Sequence, residues 1–186
     1  GYYGVEANDE VLGENGRTDE SFSSRLCVSW EACAREAESL GIRTCILRIG
    51  IVLGNNGGAL QKMLPPLRLG LGGKIGTGKQ WMSWIHLEDL VRIVDFCMGD
   101  DKLQGPVNCT APAAVTNSEF SCALGQALRW AVRFPMPALM IKLVMGEMGE
   151  ELLLAGKKVF PAKLEEAGFD FKYNTVERAL LDIVRE

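Results

Sequence analysis

The chain has 186 residues, 47% of them hydrophobic and 24% charged, with a formal net charge of −4. That length and balance fit a globular protein of one domain, or a domain plus a small lobe. The acidic balance supplies no basic field, so neither nucleic acid nor an anionic membrane is expected as a partner, and no apolar run approaches the roughly 20 residues that span a bilayer.

The chain opens on Gly1-Tyr2-Tyr3-Gly4, with no methionine, and reads as the interior of a loop in a longer protein. Residues 5–21 are polar and acidic, a surface loop leading into a helix. From Phe22 to about Leu40 the apolar residues Phe22, Leu26, Trp30, Cys33, Ala37 and Leu40 recur at helical steps, and Gly41 closes the helix. Ile42–Ile49 is short and rich in β-branched residues, so it predicts a strand. A helix, a glycine and an apolar strand suggest one unit of a parallel sheet. Residues 54–80 are glycine-rich, with one or two helical turns around Ala59–Leu64. Trp84-Ile85 ends a strand, a helix follows from Leu87 to about Met98, and Pro106–Cys109 is a strand. Thr116 with Glu119 and Asn174 with Glu177 are capping boxes that open helices to about Trp130 and Val184. Pro137–Met148 is apolar at helical spacing, and Pro161–Ala167 is a short helix ending at Gly168. The fold expected is α/β: a partial Rossmann-like parallel sheet over residues 1–110, with a smaller, mostly helical lobe over residues 111–186.

Six cysteines form no C-x-x-C pair, and His86 is the only histidine, so no zinc site is expected. The thiols read as mostly buried and reduced, which points to a reducing, cytoplasmic setting. His86 precedes a helix whose first turn holds Glu88 and Asp89. It reads as a strand-to-helix corner, with catalytic base as the alternative.

Three stretches in order resemble the extended short-chain dehydrogenase/reductases, the nucleoside-diphosphate-sugar epimerase-like proteins. They are Tyr3-Gly4, the run Leu47-Arg48-Ile49-Gly50-Ile51-Val52-Leu53-Gly54, and Ile85-His86-Leu87-Glu88-Asp89-Leu90-Val91. More narrowly, GGALQKMLPPLRLGLGGKIGTGKQWMSWIH is similar to the atypical, YfcH-like branch. The resemblance implies a dinucleotide cofactor, NADP or NAD, and a small-molecule substrate that the sequence does not name. It also implies that the glycine-rich turn holding the cofactor pyrophosphate lies outside these residues. Gly70–Gly78 reads as a substrate-side loop rather than a substitute for that turn.

Members of this family carry a Tyr-x-x-x-Lys pair on the helix before the strand. That slot falls here near Ser23 and Cys27, and neither Tyr nor Lys is present. Ser23 and Cys27 are therefore the catalytic candidates. The alternatives are helix capping for Ser23 or Ser24 and a core or ribose-contacting thiol for Cys27. By resemblance, the backbone of Gly50, Ile51 and Val52 lies along the nicotinamide carboxamide. Trp81, Ser83, Trp84 and His86 are the substrate-pocket candidates. The arginine that holds a sugar-nucleotide phosphate falls at Met82 or Ser83, which argues against a UDP-sugar. Two functions follow: an oxidoreductase or epimerase, or a non-catalytic relative that senses a dinucleotide or binds a partner. A weaker third reading makes the apolar 137–153 helix, with Met140 and Leu143, a docking face. A homodimer is the assembly to test.

Overall fold

The computed structural model describes residues 1–4, 9–55, 60, 73–130 and 156–185. Ala59–Leu64, the 137–153 helix and the first part of the Gly70–Gly78 loop lie wholly or largely outside these residues. In chain order the elements are β1 (Val11–Leu12), α1 (Phe22–Arg35), a 3₁₀ segment (Glu36–Leu40), β2 (Cys45–Ile49), β3 (Ile51–Leu53) and β4 (Trp81–Met82). Then come β5 (Trp84–His86), α2 (Leu87–Gly99), β6 (Gly105–Cys109), β7 (Val115–Thr116), α3 (Asn117–Leu128), β8 (Lys158–Val159), α4 (Ala162–Glu166) and α5 (Val176–Arg185).

Local chemistry sets the element ends. Ser21 caps α1 by accepting from the Ser24 amide, and Gly41, at φ 75°, ends the 3₁₀ segment. Thr116 and Glu119 form the expected capping box at α3. Within residues 73–78 the amides of Ile75 and Gly78 are bonded inside the protein. Asn117 Oδ1 accepts from the Ile75 amide, and the Gly78 carbonyl accepts from Ser118, so the loop closes over the start of α3.

The segment 45–53 is the spine of the sheet. Its first half, β2, pairs in parallel with β6, and its second half, β3, pairs in parallel with β5. β1 pairs in parallel with β8, and β4 antiparallel with β7. Two apolar clusters flank the spine. One gathers Leu53, Trp84, Phe120, Leu124, Val176 and Leu180; the other gathers Ile85, Ile93, Val107, Cys109 and Leu164. Both draw on residues from each side of position 110, so packing is continuous across the boundary expected there.

Helix α1 departs from its sequence reading. Much of the apolar stripe is in solvent, with Phe22 70% exposed, Trp30 66% and Leu40 78%, while Leu26 and Ala37 are half-buried. The buried positions are Ser24 and Glu31 instead. Their partners explain the reversal, since Ser24 Oγ donates to the Tyr2 carbonyl at 2.7 Å and Glu31 holds Arg48.

Candidate functional site

The site is built where β2 runs out into β3. Gly50 makes the crossing: its amide donates to the Cys109 carbonyl at 3.1 Å, and the next amide, of Ile51, donates to the Ser83 carbonyl at 2.8 Å. The strand thus leaves β6 for β5 within one residue. A Cβ on Gly50 would stand 2.6 Å from the Ser83 carbonyl oxygen and 2.9 Å from Thr110 Cγ2. Gly50→Ala is therefore expected to cost about 1–3 kcal/mol through forced backbone movement, read as a lower midpoint in urea with an unchanged slope; an unchanged midpoint would refute this packing.

The same hydrogen bonds decide which backbone groups are available. In a strand, successive residues turn their peptide groups to opposite edges. Ile51 faces β5, so the N–H and C=O of Val52 face the opposite edge, which no strand covers among the described residues. Val52 is half-buried and Leu53 fully buried. The exit therefore offers one donor and one acceptor beside apolar side chains, which fits a flat amide-bearing ring. The amides of Gly50 and Ile51 are engaged within the protein.

Beneath this exit lies a buried polar network. Arg48, from β2, grips Glu31 of α1 with two bonds, Nε to Oε1 at 2.7 Å and Nη2 to Oε2 at 2.8 Å. Its Nη1 also donates to the Tyr3 hydroxyl at 3.0 Å and the Glu14 carbonyl at 2.7 Å. The guanidinium lies 3.3 Å from the centre of the Tyr2 ring. Burial opposes its charge, but the bonds from Glu31 and Tyr3 outweigh burial and hold Arg48 above its ordinary pKa. Burial likewise raises the Tyr3 phenol, despite Arg48 beside it. Tyr3 donates to Asn108 Oδ1 at 2.6 Å, while the Asn108 amide donates to Glu14 Oε1 at 3.0 Å. Every polar atom of Arg48 is engaged, so it is a strut joining α1, β2 and the 1–16 segment rather than a cation for a ligand.

Ser23, Ser24, Cys27 and Glu31 are spaced to share one side of α1. Through the Glu31–Arg48 bond that side is tied to β2, two residues before Gly50. Ser23 is half-buried. Cys27 is a half-buried free thiol.

The four substrate-pocket candidates separate. Trp84 is fully buried in the core, its indole N–H donating to the Ala113 carbonyl at 2.9 Å, so it presents no wall to a ligand. The Ser83 hydroxyl is also committed, donating to the Lys157 carbonyl at 2.8 Å and accepting from the Val159 amide at 2.9 Å; it joins β4–β5 to β8. Like Ser83, Trp81 is partly exposed, with its N–H on Asp9 Oδ1 at 2.9 Å and the Lys158 ammonium 4.4 Å from its ring centre.

His86 is the corner. Its Nδ1 accepts from the Glu88 amide at 3.1 Å and caps α2, and its ring stacks on Tyr173 at 3.8 Å. Nε2 lies 3.6 Å from Asp182 Oδ2, too long for a hydrogen bond. Burial lowers the His86 pKa, opposed by the charges of Asp182, Asp89 and Glu88 and reinforced by Lys172. A lowered pKa means the unfolded chain binds the proton more readily. Stability from this group is then complete above the ordinary pKa of about 6.5 and falls as pH drops below it. His86→Asn keeps a capping side chain and is expected to flatten the stability slope between about pH 5 and 6.5. An unchanged slope in denaturation at several pH values would assign it to the carboxylates.

Sequence reasoning missed Glu31, Tyr3, Glu14 and Asn108 as a unit. One signal was present: an arginine within the apolar run Cys45-Ile46-Leu47-Arg48-Ile49 requires a buried partner.

Among the described residues, no three His, Cys, Asp or Glu side chains gather as metal ligands, and no helix is long and apolar enough to cross a membrane. A parallel sheet whose spine opens at Gly50–Leu53, with helices packed against it, is a Rossmann-like α/β fold. The family model described as "NAD dependent epimerase/dehydratase family" matches residues 3–109, and this chain belongs to that family. A domain of unknown function, DUF1731, matches residues 136–183. An epimerase family protein of Mycobacterium bovis is 43% identical over 97% of this chain and 60% of its own length. The chloroplastic SDR39U1 homolog of Arabidopsis thaliana is 37% identical over the whole chain and 52% of its own. The crystal structure of human epimerase family protein SDR39U1 with NADPH superposes with a TM-score of 0.91 at 34% identity, covering 100% of this chain and 62% of that one. The chain thus spans a little over half the length of the curated relatives cited.

Proposed function

We propose that this chain is the substrate-side portion of an NADP(H)-dependent oxidoreductase or epimerase of the atypical short-chain dehydrogenase type. The observation that carries the reading is the Val52 peptide edge, which no strand covers among the described residues, at the end of a parallel spine in a fold close to one crystallised with NADPH. A bound nicotinamide supplies hydride transfer. The chain's own residues do the rest: Val52 offers its N–H and C=O to the carboxamide, Ile51 and Leu53 exclude water beside it, and the Arg48–Glu31 strut fixes α1 at that distance. Ser23 and Cys27, spaced to share the side of α1 that carries Glu31, are the groups this reading assigns to a substrate hydroxyl. The expected partners are a small molecule and a second copy of the chain, with the exposed Phe22–Trp30 stripe as the apolar surface available to it. The six free cysteines support a reducing, cytoplasmic setting.

The protein expressed from its complete coding region is expected to melt higher as NADPH is titrated. No shift at saturating cofactor would remove the reading. A second reading, a dinucleotide-binding relative without turnover, rests on a specific observation. Helix α1 carries neither Tyr nor Lys, and the nearby Tyr3 phenol is buried and fully bonded. Hydride exchange from 4-deuterated NADPH across carbonyl and sugar substrates separates the two: label transfer supports the enzyme, and binding without transfer supports the sensor.

A further inference from the structure

Trp81 and Ser83 turn toward β8, while Met82 between them is buried in the apolar core. The framework on that side is tightly bonded. The Ser83 hydroxyl bonds on both sides of Lys158, to the Lys157 carbonyl at 2.8 Å and the Val159 amide at 2.9 Å. Lys158 also pairs with Val11 across the parallel β1–β8 ladder. Trp81 pairs with Thr116, and its indole N–H is committed to Asp9 Oδ1 at 2.9 Å. A Cβ on Gly156 would overlap the Trp81 carbonyl, so the chain enters β8 tight against β4. Both side chains are half-buried, and the Lys158 ammonium stands 4.4 Å from the centre of the Trp81 ring. Among the described residues no oxygen bonds that ammonium. The ammonium groups of Lys163 and Lys172, by contrast, bond the Gln104 carbonyl at 2.6 Å and the Glu88 carboxylate at 2.7 Å. Two carboxylates adjoin Trp81 and its strand partner, and each is bonded elsewhere: Asp9 accepts from the indole, and Glu119 from the amide and hydroxyl of Thr116.

We propose that Lys158, seated on the Trp81 ring, binds a carboxylate or phosphate group of the substrate. The ring holds the ammonium from one side through its π face, and the N–H donors of the lysine are left for an acceptor arriving from solvent. The backbone bonds around Lys158 fix the start of its side chain before a ligand arrives, which lowers the ordering cost of binding. A bond from this half-buried cation to an oxyanion is charge-assisted, so an acid is favoured over a neutral sugar or carbonyl compound. The same residue that fixes Lys158 reaches the cofactor exit: the Ser83 carbonyl accepts from the Ile51 amide at 2.8 Å. Two strand steps, about 7 Å, separate the Cα atoms of Trp81 and Ser83. Calling the ligand a substrate rests on the cofactor reading proposed above, whereas the anion seat itself stands on β4 and β8 alone.

The test uses protein expressed from its complete coding region with nitrogen-15 in its tryptophans. The indole N–H signal of Trp81 is identified by its loss in Trp81→Phe. Sodium benzoate and sodium phosphate are titrated separately in the presence of NADPH, against sodium chloride at equal ionic strength. The expected result is saturable movement of the Trp81 signal: with benzoate alone it names a carboxylate, and with phosphate alone a phosphate ester. Lys158→Gln is expected to weaken that binding at least about tenfold, and Lys158→Arg to keep it within about threefold. Lys158→Met gives the same comparison should Lys158→Gln fail to fold. A Trp81 signal unmoved by both salts, movement matched by chloride, or a response that survives Lys158→Gln would each overturn the inference. The NADPH melting shift is read in parallel. A melting shift without an anion response removes the anion seat and leaves the cofactor reading intact. An anion response without a melting shift removes the cofactor reading, and the name substrate with it, and leaves the seat.

Discussion

Arg48→Met is expected to destabilise the protein by about 3–5 kcal/mol, the range for stranding one partner of a buried ion pair. The side chains of Arg48 and Glu31 are only 7% and 10% exposed. With the guanidinium gone, Glu31 keeps its charge away from water. Its other contact, Arg35 at 3.9 Å, is half in solvent and cannot replace two short bonds. Tyr3 and the Glu14 carbonyl lose their donor in the same substitution. That loss is a large fraction of a typical total stability of about 5–15 kcal/mol. Glu31→Leu alone should be comparably harmful, because it strands Arg48. The double variant Arg48→Met/Glu31→Leu should be clearly less harmful than the two losses added, since no lone charge is left buried. Denaturant unfolding of the four proteins completes the cycle. Additive losses would show that the pair contributes packing rather than charge compensation.

Asp89→Ala is expected to cost a similar amount, about 3–5 kcal/mol. Asp89 is fully buried on α2, yet its partners come from far along the chain. Oδ1 accepts from the Lys172 amide at 3.0 Å and from Arg92 Nη1 at 2.7 Å, and Oδ2 accepts from the Tyr173 amide at 2.8 Å. One carboxylate thus staples the segment before α5 to the start of α2, and it holds Tyr173 under the His86 ring. Removing it orphans two backbone donors at once. Asp89→Asn should recover little, because its NH₂ must face an N–H that needs an acceptor. The check is hydrogen exchange at Lys172 and Tyr173, which should accelerate far more than exchange in β6. Equal acceleration everywhere would mean that the staple has no local role.

Features set by a few neighbouring residues were legible in the sequence. The Thr116–Glu119 box, the Gly41 terminus, the strand before Gly50 and the helix after His86 each depend on groups within about four positions. The parallel fold followed from their order. The orientation of α1 was not legible, because periodicity reports that a helix has two faces and not which one is covered. Ser24 and Glu31 turn inward for Tyr2 and Arg48, 22 and 17 positions away. The internal bonds of Trp84 and of the Ser83 hydroxyl were not legible for a related reason. In an extended strand neighbours alternate, so Trp84 enters the core while Ser83 meets β8, a strand more than 70 residues onward. The Val52 edge depends on which strand its neighbours bond, and a sequence read one residue at a time does not carry that.

The most direct test is hydrogen–deuterium exchange over residues 50–53 in protein expressed from its complete coding region, with and without saturating NADPH. Slower exchange of the Val52 amide, with Gly50 and Ile51 already protected before cofactor is added, is the predicted result. Saturable NADPH binding that leaves Val52 exchange unchanged, or no binding at all, would contradict the placement of the cofactor exit at the end of the 45–53 spine.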